Sequence, residues 1–282
     1  MAEIQELKNI SMQVRRDILR MVHACKSGHP GGSLGSADFL TTLYFRVMEH
    51  NPKFTMDGKN EDIFFLSNGH ISPLFYSVLA RSGYFPLEEL KTFRKLNSRL
   101  QGHPATAEHL PGVRVASGSL GQGISVAAGA ALAKKLNGDK KLVYALMGDG
   151  EIQEGQCWEA FIFAAHHKID NLILTIDCNG QQIDGKTNDV AGINPLGIEQ
   201  MVWAAGWEVL QMNGHDFENM IEMLAMAKSL TGKGKPIFII MKTEMGHGVD
   251  FMTGTHKWHG VAPNDVELEK ALAQLPETLG DY

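Results

Sequence analysis

Short apolar runs alternate along the chain with longer stretches in which apolar residues recur every three or four positions. The runs at 63–66, 142–147, 172–176, 207–212 and 237–241 are four to six residues long. That length and continuity suit strands covered on both faces of a parallel sheet. Between them, 4–26 places Leu7, Ile10, Val14, Ile18, Met21 and Val22 on one helical face. Segments 36–48, 72–82, 120–136, 154–168, 197–205, 216–230 and 264–275 also read as helices, with Asp216 and Asn264 as N-caps. Strand alternating with helix predicts an α/β fold: one mainly parallel sheet with helices on both faces, in a single domain spanning 1–282. Three segments carry neither period: 27–35, 101–118 and 246–262, all rich in glycine or histidine. Loops of that length in a compact domain are usually functional or disordered.

Composition changes this picture in few places. A formal net charge of −6 argues against general nucleic-acid binding, which needs a basic field. The three cysteines, Cys25, Cys157 and Cys178, form no C-x-x-C pair, so neither a disulfide scaffold nor a thiolate metal site is expected. The N-terminal residues lack an apolar leader, and no run of about 18 apolar residues occurs. A soluble cytoplasmic protein without a membrane partner is the expectation. Thirty of 282 residues are glycine, more than the roughly 7 % of an ordinary chain. Either the chain is slack, or its backbone approaches something closely at many positions.

The most informative motif follows the second predicted strand: Gly148-Asp149-Gly150-Glu151. Ligands of open α/β sheets sit at the carboxyl ends of strands. Glycines flanking an acid let the backbone approach a bulky anion, and an acid facing a diphosphate needs a cation between them. Mg²⁺ suits that task; a tight turn is the plainer explanation. The next predicted strand ends in Asp177-Cys178-Asn179-Gly180, which also reads as a turn. The two strands and the helix between them form one βαβ unit, so Asp149 and Asn179 arrive at the same sheet edge as two oxygen ligands.

This spacing resembles the diphosphate–Mg²⁺ motif of thiamine diphosphate enzymes, and the surrounding residues resemble transketolases. The resemblance is carried in order by Ser27-Gly28-His29-Pro30-Gly31-Gly32-Ser33-Leu34-Gly35, Leu66-Ser67-Asn68-Gly69-His70, Gly102-His103-Pro104, Ser117-Gly118-Ser119-Leu120-Gly121-Gln122-Gly123, Gly148 to Gly155, and Thr255-His256-Lys257-Trp258-His259-Gly260. It implies a thiamine diphosphate-binding fold, the diphosphate domain. It also implies Mg²⁺, or another divalent cation, held by Asp149, Asn179 and the backbone carbonyl of Gln181. Gly148 and Gly150 would flank the diphosphate. Gly118 would accept a bond from the cofactor's amino group, Leu120 would line the same pocket, and Ile183 would pack on the thiazolium ring. By the same resemblance His70 and His259 would reach the diphosphate, His29 and His259 would assist proton transfer, and His103 would hold a donor hydroxyl. Glu154 and Glu159 would lie at a subunit contact; as acids opening a helix they also complement its dipole. Read alone, Leu120 and Ile183 are ordinary core residues. His109, His166, His167 and His215 have no motif around them and read as structural or surface residues.

Transketolases transfer a two-carbon ketol unit from a ketose (phosphate) to an aldose (phosphate). In that family an essential glutamate belongs to a second, pyrimidine-binding domain; only one predicted helix follows His259 here. The expectation is the N-terminal subunit of a split transketolase, inactive alone and completed by a C-terminal subunit carrying the pyrimidine domain, as α2β2. The departures from the family pattern, Gly118-Ser119-Leu120 and Gly32-Ser33-Leu34, leave a branched or sulfonated sugar open as substrate. Other readings are the α subunit of a 2-oxoacid dehydrogenase or decarboxylase, a 1-deoxyxylulose-phosphate synthase fragment, and a stand-alone cofactor-binding module.

Overall fold

All five apolar runs become parallel strands of one sheet in a computed structural model, which describes residues 2–282. The strands are β1 (Ile63–Leu66), β2 (Val143–Gly148), β3 (Leu172–Cys178), β6 (Glu208–Asn213) and β7 (Ile237–Lys242), in the spatial order β1-β2-β3-β7-β6. A small antiparallel hairpin, β4 (Gln181–Gln182) with β5 (Gly185–Lys186), follows the end of β3. Each central strand divides its side chains between two cores. Phe64, Leu66, Tyr144, Leu146, Ile173, Ile237 and Ile239 enter one; Phe65, Val143, Ala145, Leu172, Leu174, Phe238 and Ile240 enter the other. Burial on both sides is why these strands read as continuous apolar runs and not as alternating ones.

The first core is roofed by α1 (Ile4–Ala24), α2 (Pro30–Gly35), α3 (Ala37–Thr42), α4 (Ser72–Arg81), α9 (Phe217–Leu230) and α10 (Asp265–Gln274). The second lies under α5 (Gln122–Leu136), α6 (Gly155–His166) and α8 (Pro195–Ala204); α7 (Thr187–Ala191) is a short helix after the hairpin. Both predicted N-caps form. Asp216 accepts from the amides of Glu218 and Asn219, and Asn264 makes a reciprocal capping box with Glu267.

Three elements differ from the sequence expectation. The glycine loop at 27–35 is helical from Pro30, because proline suits a first helical turn and the glycines allow neighbours to sit against its backbone. A side chain at Gly31 would overlap Met245 and the Trp258 carbonyl, and one at Gly35 would meet the Glu244 carbonyl at 2.9 Å. The single helix expected at 36–48 is instead α3 followed by a π-turn, Leu43–Val47. The helix expected from 120 starts at Gln122, which leaves Leu120 in the preceding turn. Helix α1 also buries polar positions that periodicity assigns to solvent. Arg15 forks onto Asp38 at 2.7 and 2.8 Å, and Asp17 receives Arg81 and Ser77.

Trp207 anchors the second core. It is fully buried, donates its indole N–H to the Phe161 carbonyl at 3.0 Å, and packs edge-on to Phe161 and Phe238. Trp207→Ala should therefore cost about 3–5 kcal/mol, seen as a lower urea midpoint with unchanged circular dichroism of the folded baseline.

Candidate functional site

The carboxyl ends of β1, β2, β3 and β7 open onto one cleft of about 350 Å³. Such a site at the strand ends of an open parallel sheet follows from topology, since each strand there delivers a loop to the same edge. Twelve residues singled out from sequence line it: His29, His70, His103, His259, Gly118, Leu120, Gly148, Asp149, Gly150, Asn179, Gln181 and Ile183. Glu154 and Glu159, at the start of α6, are exposed and outside the lining. Ile183 sits on the β4–β5 turn with 64 % of its surface exposed, which overturns its reading as core. Leu120, half-buried in a turn before α5, is likewise a lining residue.

Asp149 is buried beyond β2. Its Oδ1 accepts from the Gly150 amide at 2.8 Å, and its Oδ2 accepts from the Gly180 amide at 2.7 Å, which brings the β2 and β3 loops to one point. Burial, reinforced by nearby Asp177, raises its pKa to about 7. Asn179 is oriented by two bonds: Oδ1 accepts from the Gln181 amide at 2.9 Å and Nδ2 donates to Asp177 at 2.9 Å. Among the described residues no lysine or arginine forms an ion pair with Asp149 or Asp177. The buried carboxylate of Asp149, beside the Asn179 carboxamide oxygen and an unpartnered buried Asn68 Oδ1, makes a hard oxygen donor set that fits a divalent cation.

The histidines gather on the other side of the cleft. Ring centroids of His29 lie 5.1 Å from His70, 6.3 Å from His103 and 5.6 Å from His259, and His70 lies 5.1 Å from His259. None forms an ion pair with a carboxylate among the described residues. Burial lowers the pKa of all four, helped at His29 by His259 and Arg94, so His29 titrates at about 4. The cluster is neutral at pH 7 and can both accept and donate protons. Gly118 lies against it with φ +147°, and a Cβ there would stand 3.0 Å from the His103 ring; both features demand glycine.

Sequence reasoning passed over several lining residues, among them Asn68, Glu151, Asp177 and Met245. Glu151 is buried and accepts from Ser67, from the Gly121 amide at 2.7 Å and from the Gly148 amide at 3.1 Å, tying the 117–121 loop to the Asp149 loop. Asp177 is buried at the end of β3, opposite Gly148. Their signal was their place: acids directly after the Gly-Asp-Gly turn and at the end of an apolar strand. His215 lies outside the cleft lining, between Asp38 at 3.1 Å and the Glu244 amide, which donates to it at 2.8 Å. The buried thiols of Cys157 and Cys178 are pushed up, Cys157 to about 12, away from thiolate chemistry.

The sequence profile of the family described as transketolase, thiamine diphosphate binding domain, matches residues 8–277. The chain is 38 % identical to one subunit of an apulose-4-phosphate transketolase of Actinobacillus succinogenes, over 96 % of each chain. It is 36 % identical to a 6-deoxy-6-sulfo-D-fructose transketolase subunit of a Clostridium species, again over 96 % of each. Among solved structures, transketolase from Campylobacter jejuni superposes with a TM-score of 0.88 at 39 % identity, covering 97 % of this chain and 43 % of that one. The chain thus spans about two fifths of the solved transketolases and nearly the whole length of the apulose-4-phosphate transketolase subunits.

Two measurements probe this electrostatic arrangement. His29 carries an ordinary pKa near 6.5 when unfolded and about 4 when folded, so the unfolded chain binds more protons between those values. Stability is then lost as pH falls from about 6.5 toward 4, and His29→Gln should narrow the gap between urea midpoints at pH 7.5 and pH 5. Asp149 has the opposite sign: the folded state holds the extra proton between pH 3.8 and about 7, so its burial opposes folding increasingly as pH rises through that window. Asp149→Ala should flatten that part of the pH dependence of the cation-free chain's melting temperature between pH 5 and pH 8, and remove any rise on adding Mg²⁺ with thiamine diphosphate.

Proposed function

The chain belongs to the transketolase family through its thiamine diphosphate-binding domain, and from that premise we propose that it is the N-terminal, diphosphate-binding subunit of a split transketolase. The observation that carries the proposal is the convergence of Asp149, Asn179 and four neutral histidines in one cleft at the sheet's carboxyl edge. Bound thiamine diphosphate supplies the electron sink that two-carbon ketol transfer requires; the protein supplies position and electrostatics.

Asp149, the Asn179 side chain and the Gln181 carbonyl would hold Mg²⁺, and Gly148 and Gly150 leave room beside them for a diphosphate. His70 and His259 would donate to diphosphate oxygens. Gly118 would accept from the cofactor's amino group, with Leu120 and the exposed Ile183 against its rings. His29 and His259 would move a proton at the acceptor carbonyl, and His103 would hold the donor's C1 hydroxyl. Neutral imidazoles suit these exchanges, since each can accept a proton without first losing one.

Glu154 and Glu159 would face the partner, a subunit carrying the pyrimidine domain, in an α2β2 assembly in the cytoplasm. The relatives that are separate transketolase subunits of matching length support this division. The reading as the α subunit of a 2-oxoacid dehydrogenase is not favoured, since the relatives described above are transketolases or transketolase subunits. The purified chain with thiamine diphosphate, Mg²⁺, a ketose phosphate and an aldose phosphate should turn over only when a pyrimidine-domain subunit is added. Asp149→Ala should abolish that activity, and robust turnover by the chain alone would refute the split-enzyme proposal.

A further inference from the structure

We infer that Asp177 is a positioning residue of the cation site: it decides which end of the Asn179 carboxamide is presented to the metal. The inference rests on the proposal that Asp149 and Asn179 are cation ligands. An asparagine side chain has two ends of nearly equal shape and opposite chemistry; Oδ1 accepts and Nδ2 donates. A hard divalent cation binds only the oxygen. Asn179 on the β3–β4 loop could present either end unless a neighbour selects one.

Asp177 makes that selection. Its Oδ2 accepts from Asn179 Nδ2 at 2.9 Å, which consumes the amino end. The oxygen end is left toward the loop, where it accepts from the Gln181 amide at 2.9 Å and keeps a lone pair for a cation. Asp177 is itself fixed from two sides. Ser36, between α2 and α3, donates to Oδ2 at 3.0 Å, and Thr243, just after β7, donates to Oδ1. The carboxylate is 1 % exposed and forms no ion pair with a basic side chain among the described residues. A buried acid held only by neutral donors is costly, and salt-bridge anchoring does not account for it. Groups that hold a metal ligand in orientation typically change metal affinity 10–100-fold when removed.

The test uses Mn²⁺ as the cation and inorganic pyrophosphate as the diphosphate mimic, with free Mn²⁺ read by electron paramagnetic resonance. The wild-type chain should show a saturable site that Asp149→Ala eliminates. Asp177→Leu, which removes the acceptor, should weaken Mn²⁺ roughly 10–100-fold. Asp177→Asn keeps an acceptor for Nδ2 in the same shape and should retain most of the affinity. Asn179→Asp sets two carboxylates face to face and should weaken binding; adding Asp177→Asn restores a donor–acceptor pair and should recover it. A role confined to fold stability would not produce that recovery. Where Asp177→Leu fails to fold, the Asn179→Asp pair of measurements decides alone. Wild-type affinity in Asp177→Leu, equal losses in Asp177→Asn and Asp177→Leu, or no recovery in the double variant would overturn the inference while leaving the cation site standing. Wild-type binding no better than Asp149→Ala would overturn both.

Discussion

Three carboxylates lie buried at the carboxyl edge of the sheet with no basic partner among the described residues, and much of the site follows from how they are held. Asp149 is held by backbone amides, Asp177 by two hydroxyls and a carboxamide, and Glu151 by a hydroxyl and two amides. Burial raises the pKa of each. Elsewhere Asp17, Asp38 and Glu61 are paired with arginine, while buried Asp62 is held by the backbone amides of Glu49 and Leu142. The acids at the strand ends differ from Asp62 in lining the cleft, and a group held uncompensated in a cleft is a functional candidate on physical grounds. A divalent cation there would relieve at once the strain that these acids place on the fold.

The acids also organise the backbone. Glu151 joins the end of β1, the turn before α5 and the Gly148 turn; Asp149 joins the loops after β2 and β3; Asp177 joins β3 to the α2–α3 junction and to the end of β7. Loops that would otherwise be independent are therefore coupled through neutral donors. The close packing of α2 against the 244–245 segment completes the frame, because its glycines let backbone meet backbone there.

Strands β1, β2, β3 and β7 were legible in the sequence because two-sided burial makes each an apolar run, and the site was legible where its residues stood in a turn of distinctive composition, as at Asp149 and Asn179. Helix α2 was not legible, because Pro30-Gly31-Gly32-Ser33-Leu34-Gly35 has the composition of a loop. It is helical through tertiary contacts, not propensity. Leu120 was placed on a helix because apolar periodicity continues past the true start at Gln122. The buried polar face of α1 was missed for a related reason: Arg15 and Asp17 look solvated until Asp38 and Arg81, distant in sequence, are brought against them.

The histidine cluster and the acid cluster solve opposite problems in one cleft. Burial without a counter-ion disfavours the charged form of histidine, so these rings stand neutral near pH 7 with a nitrogen open to a proton. A carboxylate in the same environment takes up a proton and loses its use as a metal ligand unless a cation is present. Asp149, at about 7, stands at that balance: a cation competes with a proton for it, and cation affinity should strengthen with pH across the neutral range. Burial thus acts in opposite directions at the two clusters, lowering the pKa of the histidines and raising that of Asp149.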